Sequence, residues 1–228
     1  MKDILFLPLD IPYLTIDYDK LVSVAQTLDT IADEYRNCEH IPIRWTKSVK
    51  NVYNKLEWTD IAYNEFPEII EYAELHLKPF VGEIPRIMII TTPPYTEGFD
   101  HIDCSPKVFD DVQLKFRSVL HGKTSTLYFL NEHEGGGVHR EYAPEIGQQP
   151  FLMDGGWPHG LDNFTEKYKF TLAIGAPWSC EPIPELVELV EESKLRYEWK
   201  DKSRMYLMAD YEKYFSTKPL NAISRKND

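Results

Sequence analysis

Long apolar runs are missing from this 228-residue chain. No stretch approaches the length of a transmembrane helix, so no membrane partner is expected. The apolar patch at 4–8 is too short and wrongly flanked for a signal peptide. Cysteine is scarce: Cys38, Cys104 and Cys180 are odd in number, far apart, and form no C-x-x-C pair. That argues against a disulfide scaffold or a zinc finger and fits a reducing compartment, so a cytoplasmic location is expected. Positive charge is also short. Lys and Arg total 25 against 37 Asp and Glu, leaving a formal charge of −12. Such a balance disfavours nucleic acid as a partner. No phosphate-cradling P-loop, dinucleotide fingerprint, internal repeat or low-complexity linker is present.

What remains is ordinary globular material, 43% hydrophobic and 27% charged, long enough for one domain with a sizeable core. Leu21, Val24, Ala25, Leu28, Ile31 and Ala32 keep helical spacing and predict a helix over 19–36. A strand is expected over 41–46. A second helix is expected over 59–77, with Thr59 or Asp60 as N-cap and Pro67 kinking or splitting it. Short strands dominate from 84 to 177, and helices return at 183–197 and 203–215. This order predicts a mainly β protein with flanking helices, built on a double-stranded β-helix (a jelly-roll, cupin-like core). One domain is expected, with residues 1–83 as support, 84–178 as the core and 179–228 as C-terminal helices.

The chemistry concentrates at His101-Ile102-Asp103 and at His159, 58 positions further on. On a strand, residues i and i+2 share a face, so His101 and Asp103 would stand side by side. A His from a neighbouring strand completes a 2-His-1-carboxylate set with open positions for substrate and O₂. The pair follows an apolar β-branched run, 84–92, that ends at Pro93-Pro94. Beyond His159, a turn-like stretch at Asp162-Asn163 leads to a strand at 169–174, with Lys169, Thr171 and Ala173 on one face. An antiparallel pairing with the His159 strand would bring the Lys169 ammonium to the metal's side. A cation and a hydroxyl two apart suit one end of a dicarboxylate.

The pattern His101-x-Asp103, His159-Gly-Leu-Asp-Asn163 and Lys169-x-Thr171 resembles the 2-oxoglutarate/Fe(II)-dependent oxygenases. The nearest likeness is to the aspartyl/asparaginyl β-hydroxylase and proline hydroxylase-like branch, over roughly residues 84–178. The resemblance implies Fe(II) on His101, Asp103 and His159, and 2-oxoglutarate held through its distal carboxylate by Lys169 and Thr171. It implies O₂ as the oxidant, ascorbate as a supporting reductant, and hydroxylation of an amino-acid or peptidyl side chain or a small metabolite. One departure is that the family's usual basic residue on the last strand is Arg, whereas Lys169 is a point charge without the bidentate fork.

Three more residues are candidates. Val112 to Leu120 alternates, with Val112, Leu114, Phe116, Ser118 and Leu120 on one face and Lys115, Arg117 and Val119 on the other. The family carries an Arg-x-His pair facing the pocket on the corresponding strand, and Lys115 and Arg117 are similar to it. Composition alone reads them as solvated charges on a half-exposed strand; as that pair's counterparts they would take the second carboxylate of 2-oxoglutarate or an acidic group of the substrate. Tyr128, on a strand at 125–130, would touch the co-substrate or fill the core. His40, His76 and His121 read as surface or structural residues. The Gly135–Gly137 run between His133 and His139 reads as a loop, with a lid over the open face as the alternative. Gly147 to Pro150 reads as a turn feeding the His159 strand. A different class stays open: a cupin-like module that binds a metal or ligand without oxygenase activity and needs no dicarboxylate site.

Overall fold

The computed structural model describes residues 1–28, 30–33, 38–46, 55–103, 114–132, 137–175, 183–206 and 223–225. Its strands are β1 (Ile4–Pro8), β2 (Ile31–Asp33), β3 (Cys38–Trp45), β4 (Glu57–Trp58), β5 (Ile87–Thr92), β6 (Leu114–His121), β7 (Leu127–Glu132), β8 (Val138–Tyr142), β9 (Phe151–Asp154), β10 (His159–Leu161), β11 (Lys169–Ile174), β12 (Lys200–Asp201) and β13 (Ile223–Arg225). The α-helices are α1 (Tyr18–Thr27), α2 (Asp60–Glu65), α3 (Pro67–Tyr72), α4 (Lys78–Val81) and α5 (Pro184–Arg196), with a π-helical turn over Ala73–Leu77 joining α3 to α4.

The strands form two antiparallel sheets. The larger runs β12-β1-β9-β6-β11-β5-β3-β2-β13, with β4 on β3, and the smaller runs β10-β7-β8. Bridges from Thr96 to Asn163 and from His101 to His159 add the segment 96–103 to the free side of β10. Successive strands thus alternate between the sheets: β5 large, 96–103 small, β6 large, β7 and β8 small, β9 large, β10 small, β11 large. That alternation is the double-stranded β-helix.

Period two explains both faces of the large sheet. Ile41, Ile43, Ile87, Ile89, Leu114, Phe116, Leu152, Phe170, Leu172 and Ile174 point outward and bury against Leu21, Val24, Phe66, Ile69, Leu77, Leu186 and Val190 of the helices. The other face turns toward the small sheet. A second apolar cluster, including Phe6, Val119, Phe129, Phe151, Met153 and Trp157, fills part of that space.

Helix limits follow local chemistry. The Asp17 side chain accepts from the Lys20 N–H, capping α1. The helix stops at Thr27 rather than running to 36, because residues 31–33 pair with 38–40 as β2 on β3. Helical spacing there was incidental to a strand pairing. Thr59 caps α2 by accepting from Ala62 N–H, and Pro67 opens α3 as a separate helix. At the C-terminal side, 202–204 form a single tight turn rather than the start of an α-helix, and 207–215 lie outside the described residues. Among the described residues no helix is long and apolar enough to cross a membrane.

Candidate metal centre and its cavity

His101 and His159 sit directly opposite each other on adjacent strands. His101 N–H donates to His159 O and His159 N–H to His101 O, both at 2.9 Å. Opposed residues project to the same face, and the two rings lie 4.4 Å apart. Asp103 follows two residues on, its N–H anchored to Gly155 O at 2.8 Å. Each imidazole is then oriented through its outer nitrogen. Nδ1 of His101 lies 2.8 Å from Phe99 O, and Nδ1 of His159 lies 2.7 Å from Trp157 O. A carbonyl only accepts, so both contacts place the proton on Nδ1 and leave the Nε2 lone pairs facing inward. Those Nε2 atoms stand 3.4 Å and 3.9 Å from the two Asp103 carboxylate oxygens.

One ligand atom from each of the three residues falls within 4.8 Å of the others. Burial, and then the neighbouring His101, hold the His159 imidazole neutral, with its pKa down to about 3. Two imidazoles with inward-facing Nε2 atoms and a carboxylate, oriented by second partners, fit a divalent cation such as Fe(II). No other such group occurs among the described residues.

The residues after His159 build the scaffold of this site. A Cβ on Gly160 would meet the Tyr128 ring and hydroxyl, as close as 2.2 Å, so only glycine lets β10 lie against β7 here. A Cβ on Gly98 would reach Leu161 O at 2.5 Å, for the same reason on the other side of β10. Asp162, fully buried, accepts from the Gly98 N–H at 2.8 Å and from the Tyr142 hydroxyl at 3.0 Å. Asn163 donates to Pro93 O and Lys167 O, both at 2.8 Å, tying the end of β5 to the turn before β11. The sequence pattern pointed at these residues, and the bonds show their role: they hold the two histidine-bearing strands in register.

Between the sheets lies a cavity of about 180 Å³, lined by all three metal-ligating candidates together with Lys115, Arg117, Lys169 and Thr171. Lys169 reaches it differently from the expectation. Its strand pairs with β5 and β6, not with β10, so β10 and β11 face each other from different sheets. Lys169 is buried, and its Nζ donates to Lys123 O at 2.6 Å and to the Thr126 hydroxyl. Burial lowers its pKa to about 7, partly offset by Glu145 and Asp162. Beside it, the buried hydroxyls of Thr171 and Thr92 have no hydrogen-bond partner. A carboxylate at this end would satisfy both hydroxyls and a Lys169 ammonium, which has three N–H donors and two partners here.

Arg117 is not an isolated pocket cation. Its guanidinium lies 3.6 Å from Asp103 Oδ2 and donates to Phe116 O at 3.0 Å and Ile174 O at 3.3 Å. Its place is therefore beside the candidate metal ligand. Tyr128 does not line the cavity. It leaves the opposite face of β7, where its hydroxyl donates to Asp100 Oδ1 at 2.6 Å and Arg140 stacks on its ring at 4.2 Å. Burial and that carboxylate raise its pKa. Alternation along β7 settles the matter, since Leu127 and not Tyr128 turns inward.

His40 departs from a surface reading. It is buried on β3, lines the cavity, and its Nε2 lies 3.6 Å from Cys38 Sγ. Trp45, Arg86, Thr92 and Gly175 also line the cavity, and sequence reasoning passed over them. The available signal was inward-facing polar residues at period two, Cys38 and His40 on β3 and Thr92 on β5. His76 stacks on Tyr72 and His121 on Tyr18, both structural contacts. The turn at 147–150 feeds β9, and a second turn at 155–158 leads to the His159 strand. Cys104 and residues 133–136, including Gly135 and Gly136 of the suggested lid loop, lie outside the described residues.

No family model and no curated protein matches this sequence. Solved structures do. The chain is similar to a 2OG-Fe(II) oxygenase family oxidoreductase from Burkholderia pseudomallei, with 12% identity, TM-score 0.44, and coverage of 75% of this chain and 86% of that one. It is similar to a prolyl hydroxylase from Trichoplax adhaerens, solved with a hypoxia inducible factor peptide fragment, with 13% identity, TM-score 0.38, and coverage of 71% and 77%. A Pseudomonas putida prolyl-4-hydroxylase gives 12% identity, TM-score 0.39, and coverage of 69% and 82%.

Proposed function

We propose that this protein is a 2-oxoglutarate- and Fe(II)-dependent dioxygenase that hydroxylates an amino-acid or peptidyl side chain or a small metabolite. One observation carries the reading. Two imidazoles with their Nδ1 atoms tied to carbonyls turn Nε2 toward one carboxylate, in the same cavity as a buried lysine and two unpartnered threonine hydroxyls.

His101, Asp103 and His159 would hold the metal, leaving part of its coordination sphere toward the cavity. Bound iron would supply the oxidising chemistry that couples loss of CO₂ from 2-oxoglutarate to oxidation of a substrate C–H bond. The chain's own residues bind, orient and exclude. Lys169 and Thr171 hold the distal carboxylate, and the tie from Lys169 to Lys123 and Thr126 fixes where that carboxylate rests. Arg117 steadies Asp103 from the large sheet and limits the directions its carboxylate can take. Val119, Leu127, Phe151, Met153 and Leu161 make the remaining wall apolar, which keeps bulk water away from the reacting centre.

A cupin-like binding module without oxygenase activity would need the triad but not the Lys169 end. The test is succinate release with Fe(II), ascorbate and 2-oxoglutarate across a panel of amino acids and peptides. Succinate formation that vanishes in His159→Ala supports the reading. Metal binding without any 2-oxoglutarate turnover or binding would replace it with the cupin-like one.

A further inference from the structure

The Lys169 end of the cavity is walled by a turn whose own anchorage lies outside the cavity. β6 ends at His121, and Gly122 follows at φ +113°, a conformation that glycine adopts and other residues rarely do. Gly122 also lies flat against the Lys169 stem: a Cβ there would sit 2.8 Å from Lys169 Cγ and 3.3 Å from its Cδ. The chain then makes a tight 3₁₀ turn over Thr124–Thr126 before entering β7. This turn closes around the tip of the same side chain. Lys169 Nζ donates to Lys123 O at 2.6 Å and to the Thr126 hydroxyl, which itself donates to Lys123 O at 3.0 Å. A lysine side chain ordinarily keeps much rotamer freedom; Lys169 is gripped from stem to tip.

A single 3₁₀ turn has poor hydrogen bonds of its own. Glu145, between β8 and β9 and outside the cavity lining, supplies the hold. Its carboxylate accepts from the Ser125 hydroxyl at 2.7 Å, the Ser125 N–H at 3.2 Å, the Thr124 N–H at 3.4 Å and the Gly147 N–H at 3.0 Å. The Thr124 hydroxyl in return donates to Gly147 O at 3.0 Å. The 145–148 segment is pinned to β6 as well. The Ser118 hydroxyl donates to Gln148 O at 3.0 Å, and the Gln148 side-chain amide donates to Leu120 O at 2.8 Å. Burial would raise the Glu145 pKa, but the bonds from Ser125, Gly147 and Thr124 outweigh it and hold the carboxyl below its usual range. Glu145 bonds the turn, so it acts on Lys169 through the turn's position and through its charge.

An ammonium fixed at one end of the cavity and metal candidates at the other define a single separation. A 2-oxo diacid that engages both must have the matching chain length.

We propose that Glu145 is a positioning residue for the co-substrate: by holding the 123–126 turn it fixes the Lys169 ammonium at one distance from the metal candidates, and so makes the site select 2-oxoglutarate over a longer 2-oxo diacid. The proposal rests on the oxygenase reading for the identity of the diacid, and on the bonds alone for the grip on Lys169.

Two measurements test these parts separately. In the first, the full chain loaded with Mn(II) is titrated calorimetrically, without oxygen, with 2-oxoglutarate, with 2-oxoadipate, which is one methylene longer, and with 2-oxobutyrate, which lacks the second carboxylate. Wild type should prefer 2-oxoglutarate to 2-oxoadipate by about tenfold or more. Glu145→Ala should lose most of that preference while its affinity for 2-oxobutyrate stays unchanged. Glu145→Gln keeps an acceptor in place and should keep the preference. Thr126→Val removes an acceptor at the Lys169 tip and should lose the preference as Glu145→Ala does, which covers the case in which Glu145→Ala does not fold. Glu188→Ala, on the exposed side of α5, should match wild type. In the second measurement, ligand-free protein is treated with acetic anhydride and analysed by mass spectrometry. Lys169 should stay unmodified in wild type and become modified in Glu145→Ala and Thr126→Val. Absence of the preference in a wild type that binds 2-oxoglutarate, equal weakening of all three 2-oxo acids in the variants, a preference that survives in both, or a Lys169 that stays protected in both would overturn the positioning role and leave the oxygenase reading standing. If wild type binds none of the three 2-oxo acids while the labelling follows the expectation, the oxygenase reading and the diacid selection are overturned, and the grip of Glu145 on Lys169 stands.

Discussion

The two faces of the large sheet carry different duties on the same strands. Outward, β6 presents Leu114, Phe116 and Leu120, all essentially inaccessible and packed toward the helices. Inward, the same strand presents Lys115, Arg117 and Val119 to the cavity. On β11 the outward set is Phe170, Leu172 and Ile174, and the inward set is Lys169, Thr171 and Ala173. One face is hydrocarbon and stabilises the fold. The other buries cations and unpartnered hydroxyls, which cost stability unless a ligand completes them. Substitutions should therefore separate cleanly: outward changes move stability, and inward changes move binding.

The largest expected effect is at the metal candidates. Replacing His101, Asp103 or His159 by Ala should abolish Fe(II)-dependent turnover. Metal affinity should fall by more than the ~10–100-fold typical of losing an outer partner of a ligand. Calorimetric Mn(II) titration checks this, and unchanged affinity in all three variants would remove the triad. Next comes the outward face. Phe116→Ala should cost about 3–5 kcal/mol in a denaturant melt, while metal affinity of the folded fraction stays at the wild-type value. Loss of metal binding from a fully folded Phe116→Ala would blur the division between the faces.

Lys169→Met sharpens it from the other side. It should remove about 2–5 kcal/mol of 2-oxoglutarate affinity, the range for truncating one partner of a buried charge pair. Stability should change by no more than about 1 kcal/mol, because a buried cation contributes little to folding. In wild type the same residue sets a pH dependence. Its pKa in the free protein is lowered to about 7 by burial, and a bound carboxylate raises it. Binding above pH 7 then takes up a proton, so affinity falls as pH rises, by up to about tenfold per unit. Affinity that is flat from pH 7 to 9 would show that Lys169 does not hold the carboxylate. The smallest effect is at Tyr128. Tyr128→Phe loses the bond to Asp100, worth about 1 kcal/mol of stability, and should leave 2-oxoglutarate affinity alone.

Sequence periodicity exposed the inward residues of β6 and β11 because alternation is local. Lys115, Arg117, Lys169 and Thr171 all reach the cavity for that reason. Strand partners are not local, and there the reading failed. β10 and β11 are consecutive in the chain, yet they belong to different sheets because the winding alternates. The β2 pairing was hidden for the same reason, since Ile31 and Ala32 fit a helical period as well as a strand. Tyr128 shows that a phase error of one residue exchanges cavity for far side. The anchoring of each imidazole by the carbonyl two residues before it was illegible, because backbone atoms carry no sequence signature. Trp45, Arg86 and Gly175 meet only through register across three strands, which no spacing along the chain records.

The central claim is that the triad and Lys169 act on one ligand within one cavity. The most direct test is the affinity of the full chain for 2-oxoglutarate, measured anaerobically with Mn(II) and again after chelation, in wild type and in Asp103→Ala. The account predicts strong binding that depends on the metal and weakens at least about tenfold both on chelation and in Asp103→Ala. Equal affinity with and without metal, or undiminished metal-dependent binding in Asp103→Ala, would contradict it.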